Sequence, residues 1–328
     1  MNRKGFTKGA FLVATVILIL IMLYSGLQIL ESTVLLKGGV PSETRVSKTV
    51  VYEGKEYYPR QDITVVMLLG IDEEGPVVES ATYNNSGGAD MVTLLIFDPK
   101  TQQCDLLVLN RDSMVEMPVL GVTGRPAGTL YGQLALSHTY GSGLEDSCEN
   151  TRTTVSDLLC GAQIDYYFSM NMDGIGILND AIGGVEVTVR DDFSQVDPTL
   201  TQGATLRLNA RQAQNFVRSR QGVGNGLNIS RMERQKQYMQ GFVSMLKAHL
   251  EENPLYASQL LAEVDAYTVT DCSPAVLNRL ATDYGDYTLG RIISPEGENV
   301  LGEKYYEFYL DEKALEKLAI ELFFEEKP

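Results

Sequence analysis

With 43 Asp and Glu against 27 Lys and Arg, this 328-residue chain carries a formal charge of −16 at neutral pH. That balance excludes a nucleic-acid binder, which needs a broad basic surface to displace counterions, and two histidines exclude a histidine-rich metal centre. A hydrophobic content of 44% supplies one large core or two smaller ones.

Taken from the start, Arg3, Lys4 and Lys8 precede residues 9–30, a run without charge. A helix over that run is about 33 Å long, enough to cross a hydrocarbon core of roughly 30 Å. The basic flank holds residues 1–8 in the cytoplasm and exports the rest. No small-x-small cleavage pattern follows, which favours an uncleaved single-pass anchor over a signal peptide. Residues 31–60, with Gly38, Gly39 and Pro41 among polar side chains, read as an extracellular connector, and residues 61–328 as the exported domain.

"DITVVMLLGID" (62–72) is a β-branched and aliphatic run of strand length. "MVTLLIFD" (91–98) and "CDLLVLNRD" (104–112) follow, joined by the turn "PKTQQ", and predict an antiparallel hairpin. Residues 151–160 predict a helix, 164–172 a strand, 174–182 a helix ended by Gly183 and Gly184, and 185–189 a strand. Strands alternating with helices predict an α/β (α+β) sandwich: a central, mostly antiparallel or mixed sheet flanked by helices.

Two further helices carry a concentration of arginine. Residues 209–220 begin at an Asn209 cap and end with Arg218 and Arg220. The macrodipole favours cations at that end, so these two are compatible with plain helix stabilisation. Residues 230–251 open on Ser230 and Glu233, a capping-box pattern. Arg231, Arg234 and Gln235 share a face in its first turn, where the dipole disfavours cations unless an anion is bound. A helix N-terminus already receives anions, and arginine adds bidentate contacts to phosphate oxygens. "GVGNG" between the helices lets the two arginine groups approach.

Asp72 ends the first strand and Asp90 precedes the second, so an antiparallel pair brings both carboxylates to one sheet end. Two carboxylates with open positions suit Mg²⁺, which keeps waters and shares phosphate oxygens. Arg111 and Asp112 end the third strand. Cations around Mg²⁺ are what phosphoryl transfer requires. The rival for each acid is an ordinary loop carboxylate. Of the four cysteines, Cys148 and Cys160 are closest in sequence, but spacing assigns no disulfide and buried free thiols serve equally well.

Six ordered blocks, "VVMLLGID", "ADMVTLLIFDPKTQQCDLLVLNRDSMVEMP", "LALSHTYGSG", "IDYYFSMNMDGIGILNDAIGGVEVTV", "LNARQAQNFVRSR" and "SRMERQ", resemble the LytR–CpsA–Psr family across about residues 62–250. The resemblance implies a phosphotransferase on the outer face of the cell membrane. It would move a glycopolymer such as teichoic acid or capsule from a polyprenyl-pyrophosphate carrier to peptidoglycan as a phosphodiester, with a pyrophosphatase side activity. It further implies Asp72 and Asp90 as Mg²⁺-associated aspartates, with Asp90, Arg111, Arg218 and Arg220 catalytic. Arg111, Arg218, Arg220, Arg231, Arg234 and Gln235 would hold the pyrophosphate. An apolar pocket would take the lipid tail.

The chain departs from the family pattern where Gly88 replaces an arginine, Asn110 a proline, Gln133 a lysine and Asn228 an aspartate. Three of these changes bear directly on charge at the phosphate site. They motivate the alternative reading, a catalytically weak member that binds polyprenyl phosphates or anionic polymers. His138 reads as a packing or hydrogen-bonding residue.

Overall fold

The computed structural model describes residues 49–121, 123–219, 221–224, 228–253, 256–284, 287–303 and 305–327. The anchor expected over 9–30 lies outside them. Among the described residues no helix is long and apolar enough to cross a membrane.

The last stretch of the expected connector is regular structure, which corrects its boundary. Strands β1 (Val50–Tyr52) and β2 (Lys55–Pro59) form an antiparallel hairpin. Glu53 and Gly54 between them both have positive φ, 49° and 78°, the backbone twist that a two-residue hairpin turn requires. Tyr52 and Tyr57 pack against the main core, so this segment gains enough burial to fold.

The expected strands then follow as β3 (Thr64–Ile71), β4 (Ala89–Asp98) and β5 (Gln103–Leu109). A second hairpin, β6 (Met114–Leu120) and β7 (Pro126–Gln133), stands off the main sheet. A 3₁₀ turn at Leu134–His138 leads to α1 (Glu145–Leu158), β8 (Tyr166–Asn171) and α2 (Asp173–Ala181). Next come β9 (Glu186–Thr188), β10 (Thr205–Arg207), α3 (Ala210–Arg218), α4 (Asn228–Glu252) and α5 (Tyr256–Val264). The chain continues through β11 (Thr268–Thr270), α6 (Pro274–Tyr284), β12 (Thr288–Ile293), β13 (Gly297–Leu301) and β14 (Tyr306–Leu310). It closes with α7 (Glu312–Phe323) and β15 (Phe324–Glu326), which pairs with β2.

The central sheet has six strands in the order β11-β8-β3-β4-β5-β12. β3–β8 and β5–β12 are parallel and the other three pairs antiparallel, so the sheet is mixed. β3 and β4 are covered on both faces, which is why they read as continuous apolar runs rather than alternating ones. Val65, Met67 and Leu69 pack with Val155 of α1 and Leu315 and Ile320 of α7. On the opposite face Val66, Leu68 and Phe97 pack with Leu277 and Leu280 of α6. The region after residue 250 therefore completes the same domain.

A separate apolar cluster, including Leu178, Ile182, Phe193, Phe216, Phe242 and Leu246, binds α2, α3 and α4 to one another. β9 belongs to this unit and not to the main sheet; it pairs with β10 instead. α3 begins where expected: the Asn209 side chain accepts from the Gln212 N–H in a closed capping box. α4 begins two residues earlier than expected. Ser230 and Glu233 therefore lie inside the helix, and Arg234 sits beyond its first turn. All four cysteines are free thiols.

Candidate functional site

Ile71 pairs with Ala89 across β3 and β4, beside a register shift at Gly70. The pairing brings Asp72, one residue past β3, and Asp90, in β4, to the same sheet end. The Asp72 N–H donates to the Gly88 carbonyl at 2.9 Å and pins the two segments together. The long loop between them is held to the segment 138–147. The Asn85 side-chain amide donates to the carbonyls of His138 (2.8 Å) and Gly141 (3.1 Å) and to the Ser147 hydroxyl (3.1 Å).

Arg111 lies two residues beyond β5 and reaches back to β4, where its Nη1 donates to Asp90 Oδ1. Its Nε is 3.5 Å from Asp112 Oδ1. Gln133, at the end of β7, donates from Nε2 to Asp112 Oδ1 at 3.1 Å and to the Tyr306 carbonyl at 2.8 Å. From the helical unit, Arg218 closes α3 and donates from Nη2 to Asp72 Oδ1 at 2.6 Å, with Nη1 3.7 Å from Glu74 Oε1. Glu74 was not singled out by sequence, although the acidic run "DEE" at the strand end carried the signal.

Burial pushes the Asp90 carboxyl above its ordinary range; Arg111 opposes the shift, and the neighbouring Asp72 charge reinforces it. Arg231 also pulls it down, which places that charge within electrostatic reach of Asp90. Arg111 and Arg218 thus come from a strand end and a helix end to the two aspartates. Arg220 and the Gln235 side chain lie outside the described residues.

Arg234 departs from its expected place among the pyrophosphate ligands. It is buried, with its guanidinium 5.2 Å from the centre of the Phe193 ring. Its Nε donates to the Phe216 carbonyl at 2.8 Å, Nη2 to the Ser219 carbonyl and Nη1 to Asp191. The last carbonyls of a helix lack intrahelical partners, and Arg234 supplies them at the end of α3, where Arg218 emerges. A cavity of about 220 Å³ beside it is lined by Arg190, Asp191, Ser230, Glu233, Arg234 and Gln237.

His138 is buried, and its Nδ1–H donates to the Gly87 carbonyl at 2.7 Å. Burial lowers its pKa and keeps it neutral. It supports the loop leading into Asp90, in agreement with a packing and hydrogen-bonding role.

Among the described residues no group of three or more His, Cys, Asp or Glu forms a ready metal cage. Asp72 and Asp90 nonetheless offer two carboxylates whose mutual repulsion is evident at Asp90. A hard cation that completes its shell with water and phosphate oxygens fits such a pair.

A mixed sheet between helical layers, with arginines meeting paired aspartates at one sheet end, defines an α+β domain with its charged groups gathered at that end. The chain matches the LytR_cpsA_psr family over residues 33–322 and belongs to that family. It is 27% identical over 259 residues to the polyisoprenyl-teichoic acid–peptidoglycan teichoic acid transferase TagU of Oceanobacillus iheyensis, covering 77% of this chain and 74% of that protein. It is 30% identical over 221 residues to the transferase of the same name from Enterococcus faecalis, covering 67% and 65%. The crystal structure of protein gbs0355 from Streptococcus agalactiae shares the fold, with a TM-score of 0.61 at 23% identity over 80% of this chain and 86% of that one.

Proposed function

We propose that this chain is a membrane-anchored, Mg²⁺-dependent phosphotransferase. It moves a glycopolymer from a polyprenyl-pyrophosphate carrier to peptidoglycan on the outer face of the cell membrane. The observation that carries this reading is the opposed pair of ion pairs, Asp90–Arg111 and Asp72–Arg218, at one sheet end. Family membership and the names of the relatives support the reaction class.

A pyrophosphate brings strong oxyanion acceptors to a site whose arginines are otherwise satisfied by carboxylates. Arg111 and Arg218 exchange carboxylate for phosphate oxygens, which frees Asp90 and Asp72. Those two residues would hold Mg²⁺, which supplies positive charge to the phosphate oxygens when bound. Arg231 and, by resemblance, Arg220 and Gln235 add to the cradle. Arg234 contributes indirectly by fixing the end of α3.

In the transfer, an acceptor sugar hydroxyl attacks the phosphorus that bears the glycopolymer. A new P–O bond forms, and the P–O bond to polyprenyl phosphate breaks with its electron pair. Polyprenyl monophosphate leaves and the hydroxyl proton is lost. Water in place of the sugar gives the pyrophosphatase side reaction. The arginines stabilise charge as it develops on the leaving phosphate, which is where most of the catalysis of phosphoryl transfer lies.

The test uses the full chain in detergent with a lipid-linked pyrophosphate sugar and Mg²⁺, following release of polyprenyl monophosphate. Arg111→Ala and Asp90→Ala should each lower release about 100-fold or more, as expected when a group that stabilises transition-state charge is removed. Lipid bound without release, with binding weakened by Arg111→Ala, would establish the binding-only alternative. Gly88, Gln133 and Asn228 are the residues that favour that alternative.

A further inference from the structure

Arg218 reaches two acids on one short segment, Asp72 at 2.6 Å and Glu74 at 3.7 Å. Its side chain is long and 45% exposed, and ion pairs of this kind are too weak to fix the helix that carries them. Other contacts have to set the distance between the end of β3 and the end of α3.

The segment past β3 runs beside the segment past β8. Ile71 and Asn171 are partners in the parallel pairing of these strands. Beyond them the Met172 N–H donates to the Glu73 carbonyl at 3.0 Å, and the buried Asn171 side chain donates to the Gly75 carbonyl at 3.1 Å. Gly75 has a φ of 79°, a left-handed turn that favours glycine. Its N–H donates to Asp173 Oδ2 at 2.7 Å. The other oxygen of that carboxylate, Oδ1, accepts from Gln214 Nε2 at 2.6 Å. Gln214 lies in α3, four residues and so about one turn before Arg218. A Cβ on Gly176 of α2 would stand 3.1 Å from Gln214 Nε2 and 3.0 Å from the Ala210 Cβ. Glycine there lets α2 and α3 close to the distance the bond needs.

Asp173 is in the first turn of α2, where a carboxylate also gains from the helix dipole. That gain needs no partner on α3. Both oxygens are instead committed across elements, one to the loop after Asp72 and one to the helix of Arg218. Hydrogen bonds to an ionised carboxylate are about twice as strong as neutral ones.

We propose that Asp173 is a positioning residue of the transfer site. It clamps the segment carrying Asp72 and Glu74 to α3, and so sets where the Arg218 guanidinium meets the aspartate and an incoming phosphate. A misplacement of about 1 Å at such a group can lower a rate on the order of 100-fold. The inference rests on the transferase reading for the role of Arg218, but the clamp itself is measurable without turnover.

A carboxylate only accepts and the amide supplies the donor, so the pair can be exchanged. Gln214→Glu sets two carboxylates against each other. Asp173→Asn/Gln214→Glu restores a donor and an acceptor at the wild-type net charge, and the asparagine oxygen still accepts from Gly75. In the release assay on the full chain in detergent, Gln214→Glu should lower kcat about tenfold or more with an unchanged melting curve. The exchanged pair should recover to within about threefold of wild type, and in an Arg218→Ala background Gln214→Glu should change release by less than about twofold. Hydrogen exchange on the ligand-free chain should rise together at residues 73–75 and 215–219 in Gln214→Glu, with β3 unchanged, and return in the exchanged pair. Failure of the exchanged pair to recover, or exchange at 73–75 and 215–219 unmoved by Gln214→Glu, overturns the clamp. So does an equal loss of release in the Arg218→Ala background, which would make Asp173 a fold-stabilising contact alone. No release by wild type, with the linked exchange intact, would remove the transferase reading while upholding the clamp.

Discussion

Among single residues, Arg218 and Arg234 are the instructive contrast. Both are arginines in helices, and both are held by a carboxylate. Arg218 is half-exposed at the site, and its pair with Asp72 contributes about 0.5 kcal/mol or less to stability. Arg234 is buried on three hydrogen bonds, and removing it strands Asp191 and two carbonyls. Arg234→Ala is expected to cost about 3 kcal/mol and to lower the melting temperature by several degrees. Arg218→Ala should melt like wild type yet lose most release activity. Thermal denaturation alongside the release assay separates these outcomes; equal melting of the two variants would remove the positioning role. Sequence made both residues visible, at a helix end and a helix start, and by resemblance placed both at the pyrophosphate. Arg231 and Arg234 lie three residues apart, which leaves them about 60° apart around the helix. That offset is enough for one charge to act on Asp90 while the other enters the end of α3, and only the packing of α3 on α4 decides which. Gly88 is a different case. A Cβ there would meet only Ala135, at 3.7–4.0 Å, an ordinary contact. The backbone therefore does not explain why the family's arginine is missing.

At the scale of elements, the segments legible in the sequence are those defined by local runs. β3, β4 and β5 announce themselves as apolar segments, and their hairpin order already brings Asp72 and Asp90 together. α3 was legible to its cap because Asn209 and Gln212 satisfy each other's backbone N–H groups. Asn209→Ala should destabilise by about 1 kcal/mol, and since α3 carries Arg218, it should also raise KM for the lipid donor. Chemical denaturation and initial rates check the two effects; a stability loss with unchanged KM would detach the cap from the site. β6, β7, β13 and β14 left no such signature. β7 and β13 are largely exposed, so apolar and polar residues do not alternate there against a core, and the contact of β14 with Asp112 spans nearly 200 residues of chain. Ser230 and Glu233 misled for a related reason: a capping-box pattern is as compatible with a helix interior as with its start, and the helix runs on through both.

For the whole molecule, the ends of the described chain are closed by charge as well as by strands. Arg60 donates to Asp62 at 2.9 Å and to Asp98 at 3.0 Å, and Lys100 lies 3.0 Å from Asp62. The Arg60 N–H reaches the Phe323 carbonyl at 2.9 Å. Hydrogen bonding from Arg60 lowers the Asp62 pKa to about 2. A depressed carboxylate contributes stability above its unfolded pKa and loses it as pH falls through the folded one. Asp62→Asn should therefore cost about 1–2 kcal/mol at neutral pH, discounted for partial exposure, and the gap to wild type should close between about pH 4 and pH 2. A gap independent of pH in urea unfolding would assign the effect to shape and not to charge. The small sheet in this region, β1-β2-β15, has one further consequence. Tension applied ahead of Val50 meets β1 first, and β1 hangs on β2 through a single hairpin whose bonds break in succession, as a zipper opens. β2 stays clasped by β15 on its other edge. The hairpin is expected to yield first, shielding the six-stranded sheet and the paired aspartates at its end.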